Sequence, residues 1–304
     1  MNLDILPVRT GGAAENMALD YLLLQRYPAA TAPRFRHYAW RAPAFTFGYA
    51  QKIAFVREHV PSEGPVDLCR RPTGGGIVDH REDWTYALVI PRGHPLEELR
   101  ATQSYRAVHE ALADALRAQG VPAILKLSAE VRGTPLPVVG GGSGMGILPK
   151  SGDFPQAPGR DARATSEPQP PPTTGRCVPD GVAPALLSAA VGPGPAAALS
   201  GEAVPGVCFQ RAEVFDVVHA GSGEKIAGAA QKRNKHGLLF QGSVWRPAAG
   251  SAALDWDRFE EDFGVRLGAA LGGEAQKMPW PELNEEEVGG LTEQYSSPEW
   301  IEHR

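Results

Sequence analysis

Residues 70–80 read Arg-Arg-Pro-Thr-Gly-Gly-Gly-Ile-Val-Asp-His and connect two predicted strands, Val66–Cys69 and Trp84–Ile90. Three consecutive glycines allow a backbone to approach a ligand closely and to point N–H groups at an anionic or carbonyl group. The two arginines at the start of the stretch can neutralise a phosphate or a carboxylate. A flexible turn between strands has the same composition. The stretch is therefore a candidate binding loop whose meaning depends on the rest of the chain.

A second candidate stretch, Lys225-Ile-Ala-Gly-Ala-Ala-Gln231, begins with a lysine at the start of a predicted strand. Such a lysine is commonly a solvated edge residue. If it is enclosed, it becomes a fixed cation that polarises a carbonyl or lowers the pKa of a neighbouring thiol. The three cysteines, Cys69, Cys177 and Cys208, are too few and too scattered for a disulfide framework or a zinc site. We expect no bound metal.

The pattern of apolar residues predicts an α+β fold, because strands and helices are mixed rather than strictly alternating. Two extended runs, around Phe35–Trp40 and Ala44–Gly48, predict a hairpin or adjacent strands. After residue 206 the chain predicts three consecutive antiparallel strands, at Glu213–Val218, Lys225–Ala230 and Leu238–Trp245. Helices are predicted at about 14–27, 102–119, 255–271 and 284–295.

Glycine and proline are unevenly distributed. Together they account for 63 of the 304 residues, and 28 of them fall within residues 133–206. The Ala/Gly/Pro-rich runs offer little side-chain area to bury, and Pro168–Pro172 cannot form a helix. We predict one domain over residues 1–304, interrupted by a low-complexity Gly/Pro/Ala-rich insertion at about 145–203.

The charge of the chain excludes two classes of partner. The net charge is −5 and the isoelectric point is about 5.9, so nucleic acid and anionic membranes are not attracted in general. No run of about 18 apolar residues is present, and the N-terminus lacks the basic and apolar regions of a signal peptide. We therefore expect a cytoplasmic protein, with a monomer as the default state.

Five motifs occur in order on either side of the insertion, over about 10–130 and 206–304. They are Asn16-Met-Ala-Leu-Asp20, Trp40-x-x-Pro43 with Phe47-Gly-Tyr-x-Gln51, Arg71-x-Thr-Gly-Gly-Gly76-x-x-x-His80, Lys225-Ile-Ala-Gly228-x-x-Gln231 and Tyr295-Ser-Ser-x-x-Trp300. Together they resemble the biotin/lipoate protein ligase superfamily. Within it they resemble the lipoate–protein ligases and the cysteine-dependent octanoyltransferases.

The resemblance implies a single catalytic domain of mixed, mainly antiparallel sheets flanked by helices, which grips a C8 acyl chain. It implies transfer of that acyl group to a lysine of a lipoyl carrier domain of a 2-oxoacid dehydrogenase or of the glycine-cleavage H protein. The preference between octanoyl and lipoyl groups stays open, because both are C8 chains of similar girth. The catalytic residues implied are Cys208 and Lys225, and the substrate-binding residues are Arg70, Arg71, Thr73, Gly74, Gly75, Gly76, His80, Gly228 and Ala229.

Cys208 distinguishes the two branches of the superfamily. The sequence Gly206-Val-Cys208-Phe209 is similar to the octanoyltransferase pattern, in which the cysteine accepts the acyl group from acyl carrier protein. A thiol becomes a nucleophile when a nearby cation such as Lys225 favours the thiolate. Free cysteines are more commonly small buried hydrophobic residues. For His80, a place beside the acyl carbonyl and a structural hydrogen bond are both open.

Two alternatives remain at the level of sequence. Gly74–Gly76 looks more like the lipoate ligases, which use ATP and Mg²⁺ and form an acyl-adenylate, although the Arg-Asn-Asp that is usual in those ligases is missing near Glu213–Asp216. The octanoyltransferase needs no cofactor. A third hypothesis is a non-catalytic protein that binds the acyl group or its carrier, because Gln241 stands where a histidine is common. Octanoyl transfer is the favoured prediction.

Overall fold

Two sheets and seven helices make up the part of the chain that the structure describes. The structure is a computed structural model that describes residues 2–26, 32–61, 64–127, 206–250 and 254–303. These residues fall within one compact unit, which runs over Met1–Gly141 and Glu202–Arg304. The insertion predicted at about 145–203 lies outside the described residues. No helix in the described ranges is both long enough and apolar enough to cross a bilayer.

The secondary-structure elements have the following bounds. The strands are β1 (Leu3–Gly11), β2 (Arg34–Trp40), β3 (Ala44–Phe47), β4 (Asp67–Arg70), β5 (Val78–Asp79), β6 (Asp83–Pro91), β7 (Ala123–Leu125), β8 (Val217–His219), β9 (Lys225–Asn234), β10 (Gly237–Trp245) and β11 (Ala275–Lys277). The helices are α1 (Ala13–Gln25), α2 (Ile53–His59), α3 (Pro95–Glu98), α4 (Ala101–Ala118), α5 (Trp256–Ala270), α6 (Glu285–Ser296) and α7 (Pro298–Ile301).

The larger sheet has eight strands in the order β11-β1-β2-β6-β10-β9-β8-β7. The pairs β11–β1 and β1–β2 are parallel, and the remaining five pairs are antiparallel. The smaller sheet has the order β4-β3-β5, with β3 parallel to β4 and antiparallel to β5. The predicted α+β fold with mixed, mainly antiparallel sheets is therefore confirmed.

Helices cover both faces of the larger sheet. On one face, the alternate β6 residues Trp84, Tyr86, Leu88 and Ile90 pack with α4 and α5 in the largest hydrophobic cluster. On the opposite face, Ala87 and Val89 pack with Leu23 and Leu24 of α1. This alternation follows from the two-residue period of a strand. The candidate site lies on the α1 face.

Two predictions from the sequence are wrong in detail. The runs around Phe35–Trp40 and Ala44–Gly48 are neither a hairpin nor adjacent strands of one sheet, because β2 pairs with β1 and β6 whereas β3 pairs with β4 and β5. The backbone N–H of Arg41 donates to the carbonyl of Gly11, and the connection then turns into the second sheet. The strand predicted at Glu213–Val218 begins only at Val217.

Candidate active site

An inner cavity lies between the smaller sheet and the α1 face of the larger one. Its empty volume, part of which is open to solvent, is about 500 Å³. Met17, Tyr38, Trp40 and Val78 form much of its apolar wall. Seven of the predicted site residues also line it, namely Arg71, Gly75, His80, Cys208, Lys225, Gly228 and Ala229.

An outer cavity of about 1120 Å³ adjoins the first. Its wall is formed by Ala101, Thr102 and Tyr105 of α4 and by the segment 206–216 that precedes β8. Four residues line both cavities, namely Gly75, Cys208, Lys225 and Ala229. Cys208 and Lys225 therefore lie where the two cavities meet.

The loop that carries Cys208 is fixed to the glycine loop through its backbone. The N–H of Cys208 donates to the carbonyl of Ile77 at 2.7 Å, and the N–H of Ile77 donates to the carbonyl of Gly206 at 2.8 Å. Position 76 admits only glycine, because a Cβ there would lie 2.4 Å from the carbonyl oxygen of Gly206. The glycine thus permits the close approach that places a partly exposed Cys208 in the cavity.

The residue after Cys208 has an unusual backbone conformation. Phe209 has a φ of 66°, in the left-handed region that non-glycine residues rarely occupy. Its ring stacks on Trp245 with centroids 5.5 Å apart, and the Nζ of Lys225 lies 5.9 Å from the Phe209 ring centroid. Strained backbone of this kind is frequent at functional sites.

Lys225 is enclosed rather than solvated. Its Nζ lies 2.8 Å from Oδ2 of Asp216, and the two side chains are 8% and 7% exposed. Asp216 also accepts a hydrogen bond from the backbone N–H of Glu213. Gly228 makes room for this ion pair, because a Cβ there would lie 2.8 Å from Lys225 Nζ and 2.9 Å from Asp216 Oδ1. Sequence reasoning missed Asp216, although a carboxylate inside a predicted strand was the available signal.

Gly75 packs against Gly48, a position that must also be glycine. A Cβ at Gly48 would lie only 2.0 Å from the carbonyl oxygen of Gly75, so the loop approaches β3 at backbone distance. Gly75 itself has a φ of 91°. Gly76 lines the outer cavity, whereas Gly74 lines neither cavity.

Thr73 and Gln241 belong to a buried polar network beside the inner cavity. The hydroxyl of Thr73 donates to Oε1 of Gln241 at 2.7 Å, and Nε2 of Gln241 donates to Oδ2 of Asp20 at 2.6 Å. Asp20 forms an ion pair with Arg36 at 2.7 Å, and burial raises the pKa of the Asp20 carboxyl. Gln241 therefore has a structural role that accounts for an amide at this position.

His80 is held at both ring nitrogens. Its Nδ1 lies 2.6 Å from Oδ2 of Asp83, and its Nε2 lies 2.6 Å from Oγ1 of Thr46. The ring stacks on Trp40 with centroids 4.1 Å apart. The sequence left two roles open for His80, a place beside the acyl carbonyl and a structural hydrogen bond. The contacts at its two ring nitrogens are those of the structural role.

Arg70 points away from both cavities. Its guanidinium donates to the carbonyls of Tyr49, Gln51, Trp300 and Ile301, so it joins β4 to the C-terminal helix α7.

In the described part of the chain, no three His, Cys, Asp or Glu side chains are grouped so that they could hold a metal ion.

Comparison with known proteins shows what this chain is similar to. Residues 12–131 match the model of the lipoyl protein ligase A/B catalytic domain. The predicted resemblance to the biotin/lipoate protein ligase superfamily is thereby confirmed.

Similar curated proteins are named octanoyltransferase LipM. The one from Bacillus cereus is 34% identical over 112 residues, which cover 36% of this chain and 40% of the relative. The one from Moorella thermoacetica is 38% identical over 110 residues, which cover 35% of this chain and 40% of the relative. The match thus spans about 40% of the length of these relatives.

Solved structures share the fold at low sequence identity. A bipartite lipoate protein ligase from Thermoplasma acidophilum, described with its E2 lipoyl domain, superposes with a TM-score of 0.56 at 15% identity. The superposition covers 99% of this chain and 97% of that one. A lipoate-protein ligase A bound with ATP gives a TM-score of 0.57 at 14% identity, with 99% of both chains covered.

Proposed function

We propose that the protein is an acyltransferase of protein lipoylation, which moves an octanoyl group from acyl carrier protein through a thioester on Cys208 to a lysine of a lipoyl carrier domain. One observation carries the proposal: a partly exposed cysteine and an enclosed lysine both line the junction of the two cavities. The relatives named octanoyltransferase LipM support this choice.

In the first step, the Cys208 thiolate attacks the carbonyl carbon of the octanoyl thioester. A new C–S bond forms, and the bond to the thiol of acyl carrier protein breaks, so that this thiol leaves and takes up a proton. The C8 chain lies in the inner cavity against Met17, Tyr38 and Trp40. Lys225 has three N–H donors, of which one serves Asp216, and the others bind the carbonyl oxygen.

In the second step, the ε-amine of the carrier lysine attacks the acyl-enzyme. A C–N bond forms, the C–S bond to Cys208 breaks, and the thiolate is regenerated as the amine loses its proton. The outer cavity, lined by α4 and by residues 206–216, gives the amine access to the thioester from the side opposite the apolar chamber. The acceptors are lipoyl domains of 2-oxoacid dehydrogenases or the glycine-cleavage H protein.

This reaction needs no cofactor, because the acyl group arrives already activated as a thioester. A nucleophilic thiol must remain reduced, which suits a cytoplasmic location. We propose a monomer. The ATP-dependent lipoate ligase is the competing function, favoured by the triple glycine and by the fold shared with an ATP-bound ligase.

Transfer assays separate these functions. Purified protein is mixed with octanoyl-acyl carrier protein and a lipoyl domain, with and without ATP and Mg²⁺. The products are identified by mass spectrometry. We expect an octanoyl adduct on Cys208 and ATP-independent acylation of the domain. We expect Cys208→Ala to abolish both, whereas the matched variant Cys177→Ala retains them.

The same assay contains the outcomes that contradict the proposal. Acylation that requires ATP and survives Cys208→Ala would identify a ligase. Tight binding of the lipoyl domain without acylation under either condition would identify a non-catalytic carrier-binding protein.

A further inference from the structure

Arg71 is a buried cation that has only neutral hydrogen-bond acceptors. Its side chain donates to Oγ1 of Thr46 at 2.8 Å and to the carbonyls of Gly74 and Gly76 at 2.9 Å each. The residue is 5% exposed. Among the residues that the structure describes, no carboxylate oxygen lies within 4.0 Å of this guanidinium. A buried charge without a counter-ion is costly, so the position favours an anion in the adjoining cavity.

Lys225 differs from Arg71 in this respect. Its ammonium already has a counter-ion in Asp216, 2.8 Å away, and both partners are buried. The opposite charges of such a pair largely cancel each other's electrostatic effect on neighbouring groups. Lys225 therefore supplies hydrogen-bond donors more than net positive charge. Among the side chains lining the inner cavity, Arg71 is thus the cation without an adjacent carboxylate.

Arg71 and Cys208 each pack against the glycine loop. Both line the inner cavity, and the carbonyl of Gly76 accepts from Nη2 of Arg71. The Cα of the same glycine faces the Cys208 loop, since a Cβ at position 76 would lie 3.4 Å from the Cys208 backbone nitrogen. Burial lowers the pKa of the Arg71 guanidinium, and interaction with the Cys208 thiolate acts in the opposite direction.

A chain of hydrogen bonds holds the arginine in place. An arginine only donates, so Thr46 Oγ1 accepts from Arg71, and the same Oγ1 is hydrogen-bonded to Nε2 of His80 at 2.6 Å. Nδ1–H of His80 then donates to Asp83, whose carboxylate also accepts from the hydroxyl of Thr85 at 3.0 Å. These hydrogen bonds link Asp83, His80, Thr46 and Arg71 in series.

We propose that Arg71 is the cation that stabilises the Cys208 thiolate, and that Thr46, His80 and Asp83 are positioning residues that hold its guanidinium toward the thiol. This deepens the proposed function, because it takes Cys208 as the nucleophile. The thiol gives its proton to solvent, and Arg71 stays protonated throughout. When the thiolate attacks, the electron pair of the carbonyl moves to oxygen, and Arg71 also faces this oxyanion.

Other ionisable groups face the thiol from several elements, and the experiment has to separate them. Those lining the two cavities are Tyr38 of β2, Arg71 and His80 of the glycine loop, Tyr105 of α4, Arg211, Glu213 and Asp216 before β8, and Lys225 of β9. Burial raises the pKa of the Tyr38 and Tyr105 hydroxyls, so neither ionises near neutral pH.

The test is the pH dependence of alkylation of Cys208 by iodoacetamide. The full chain carries Cys177→Ser, which leaves Cys208 as the reactive thiol because Cys69 is fully buried. We expect Arg71→Gln to move the midpoint of alkylation upward by about one pH unit or more. Thr46→Val moves it in the same direction, whereas Thr46→Ser, which keeps the hydroxyl, restores the parent midpoint.

Controls keep the result interpretable. Thr10→Val makes the same change on an exposed position of β1 and leaves the midpoint in place. Circular dichroism establishes that each variant is folded, and Thr46→Val carries the test if Arg71→Gln does not fold. An unchanged midpoint in folded Arg71→Gln or Thr46→Val overturns the inference, as does a shift in Lys225→Gln larger than that in Arg71→Gln.

Alkylation does not involve acyl carrier protein, so the two proposals fail separately. A protein that forms octanoyl-Cys208 but shows no shift in Arg71→Gln retains the proposed function and loses this inference. A protein that shows the shift but forms no octanoyl thioester retains the arginine–thiolate contact and loses the proposed function.

Discussion

Gly228 leaves the space that the buried Lys225–Asp216 ion pair needs. It lies on β9 where a side chain would enter the space of the Lys225–Asp216 pair. The ends of both charged side chains are within 3.0 Å of the Cβ position, so an added methyl group must move one of them. A buried ion pair whose geometry is disturbed loses most of its value.

We therefore expect Gly228→Ala to lower the rate of octanoyl transfer by about 100-fold, the usual penalty for a misplaced catalytic group. The free energy of unfolding falls by about 1–3 kcal/mol, because two buried charges lose their mutual contact. Single-turnover acylation of Cys208 measures the first effect, and urea unfolding measures the second.

Gly289→Ala is the matched control. Gly289 lies in α6, nothing lies within 4 Å of its Cβ position, and alanine is the better helix former. This variant should unfold at slightly higher urea and transfer at the parent rate. A Gly228→Ala protein that transfers as fast as Gly289→Ala would show that the position of Lys225 is not critical.

The residues of the site were predictable to different degrees. Cys208, Lys225 and His80 stand in motifs, so their places in the sequence point to them directly. Asp216 and Thr46 carry no such signal, because their roles come from contacts with Lys225 and His80, which lie 9 and 34 residues away. Asp83 contacts His80 only three residues away, but it stands outside the motifs. Arg70 and Arg71 are neighbours in sequence, but Arg70 contacts helix α7 whereas Arg71 contacts the glycine loop.

At the scale of elements, Arg70 joins the smaller sheet to the C-terminus. Its four hydrogen bonds reach the turn before α2 and the carbonyls of α7, and Nε1 of Trp300 donates back to the carbonyl of Arg70. A helix of four residues cannot be stable on its own. The position of α7 therefore depends on these contacts.

We expect Arg70→Met to lower the free energy of unfolding by about 2–4 kcal/mol, because several buried carbonyls lose their donor. Amide hydrogen exchange should rise in α7 while α4 stays protected. Arg57→Met is the matched control, since Arg57 contacts the same segment through Glu302 in an exposed ion pair. Such pairs contribute about 0–1 kcal/mol. Equal exchange in α7 of the two variants would contradict this account.

The elements themselves were largely predictable, and their pairing was less so. The bounds predicted for α1, α4 and α5 agree with the structure within about two residues. Helix α4 buries one face, as its apolar period predicts, whereas α1 is buried on nearly all sides. Strands β7 and β11 have three residues each, too few to show a period. The assignment of β2 and β3 to different sheets depends on their partners, β6 and β5, which lie tens of residues away.

At the scale of the whole molecule, we propose that residues 1–304 form one catalytic domain and that the insertion at about 145–203 is dispensable. Strands β7 and β8, which flank the undescribed stretch 128–205, are antiparallel neighbours with Leu125 opposite Val217. The strands on either side of that stretch therefore pair directly with each other. Its composition offers little apolar side-chain area.

Deletion of residues 150–200 should leave the transfer rate unchanged. A shorter connection costs less entropy to close, which raises the free energy of unfolding by about 1 kcal/mol at most. Thermal unfolding and the transfer assay measure both effects. Loss of transfer in a folded deletion variant would show that the insertion takes part in the reaction.

The division of the site between two segments of the chain has a practical consequence. Arg71 and His80 precede residue 127, whereas Cys208 and Lys225 follow residue 206, and the contact of β6 with β10 unites them. Each fragment alone would hold only two of these four residues and one exposed edge of a central strand. Separately produced fragments would therefore recover a reactive cysteine only on association, which makes the protein a natural scaffold for a split-enzyme reporter.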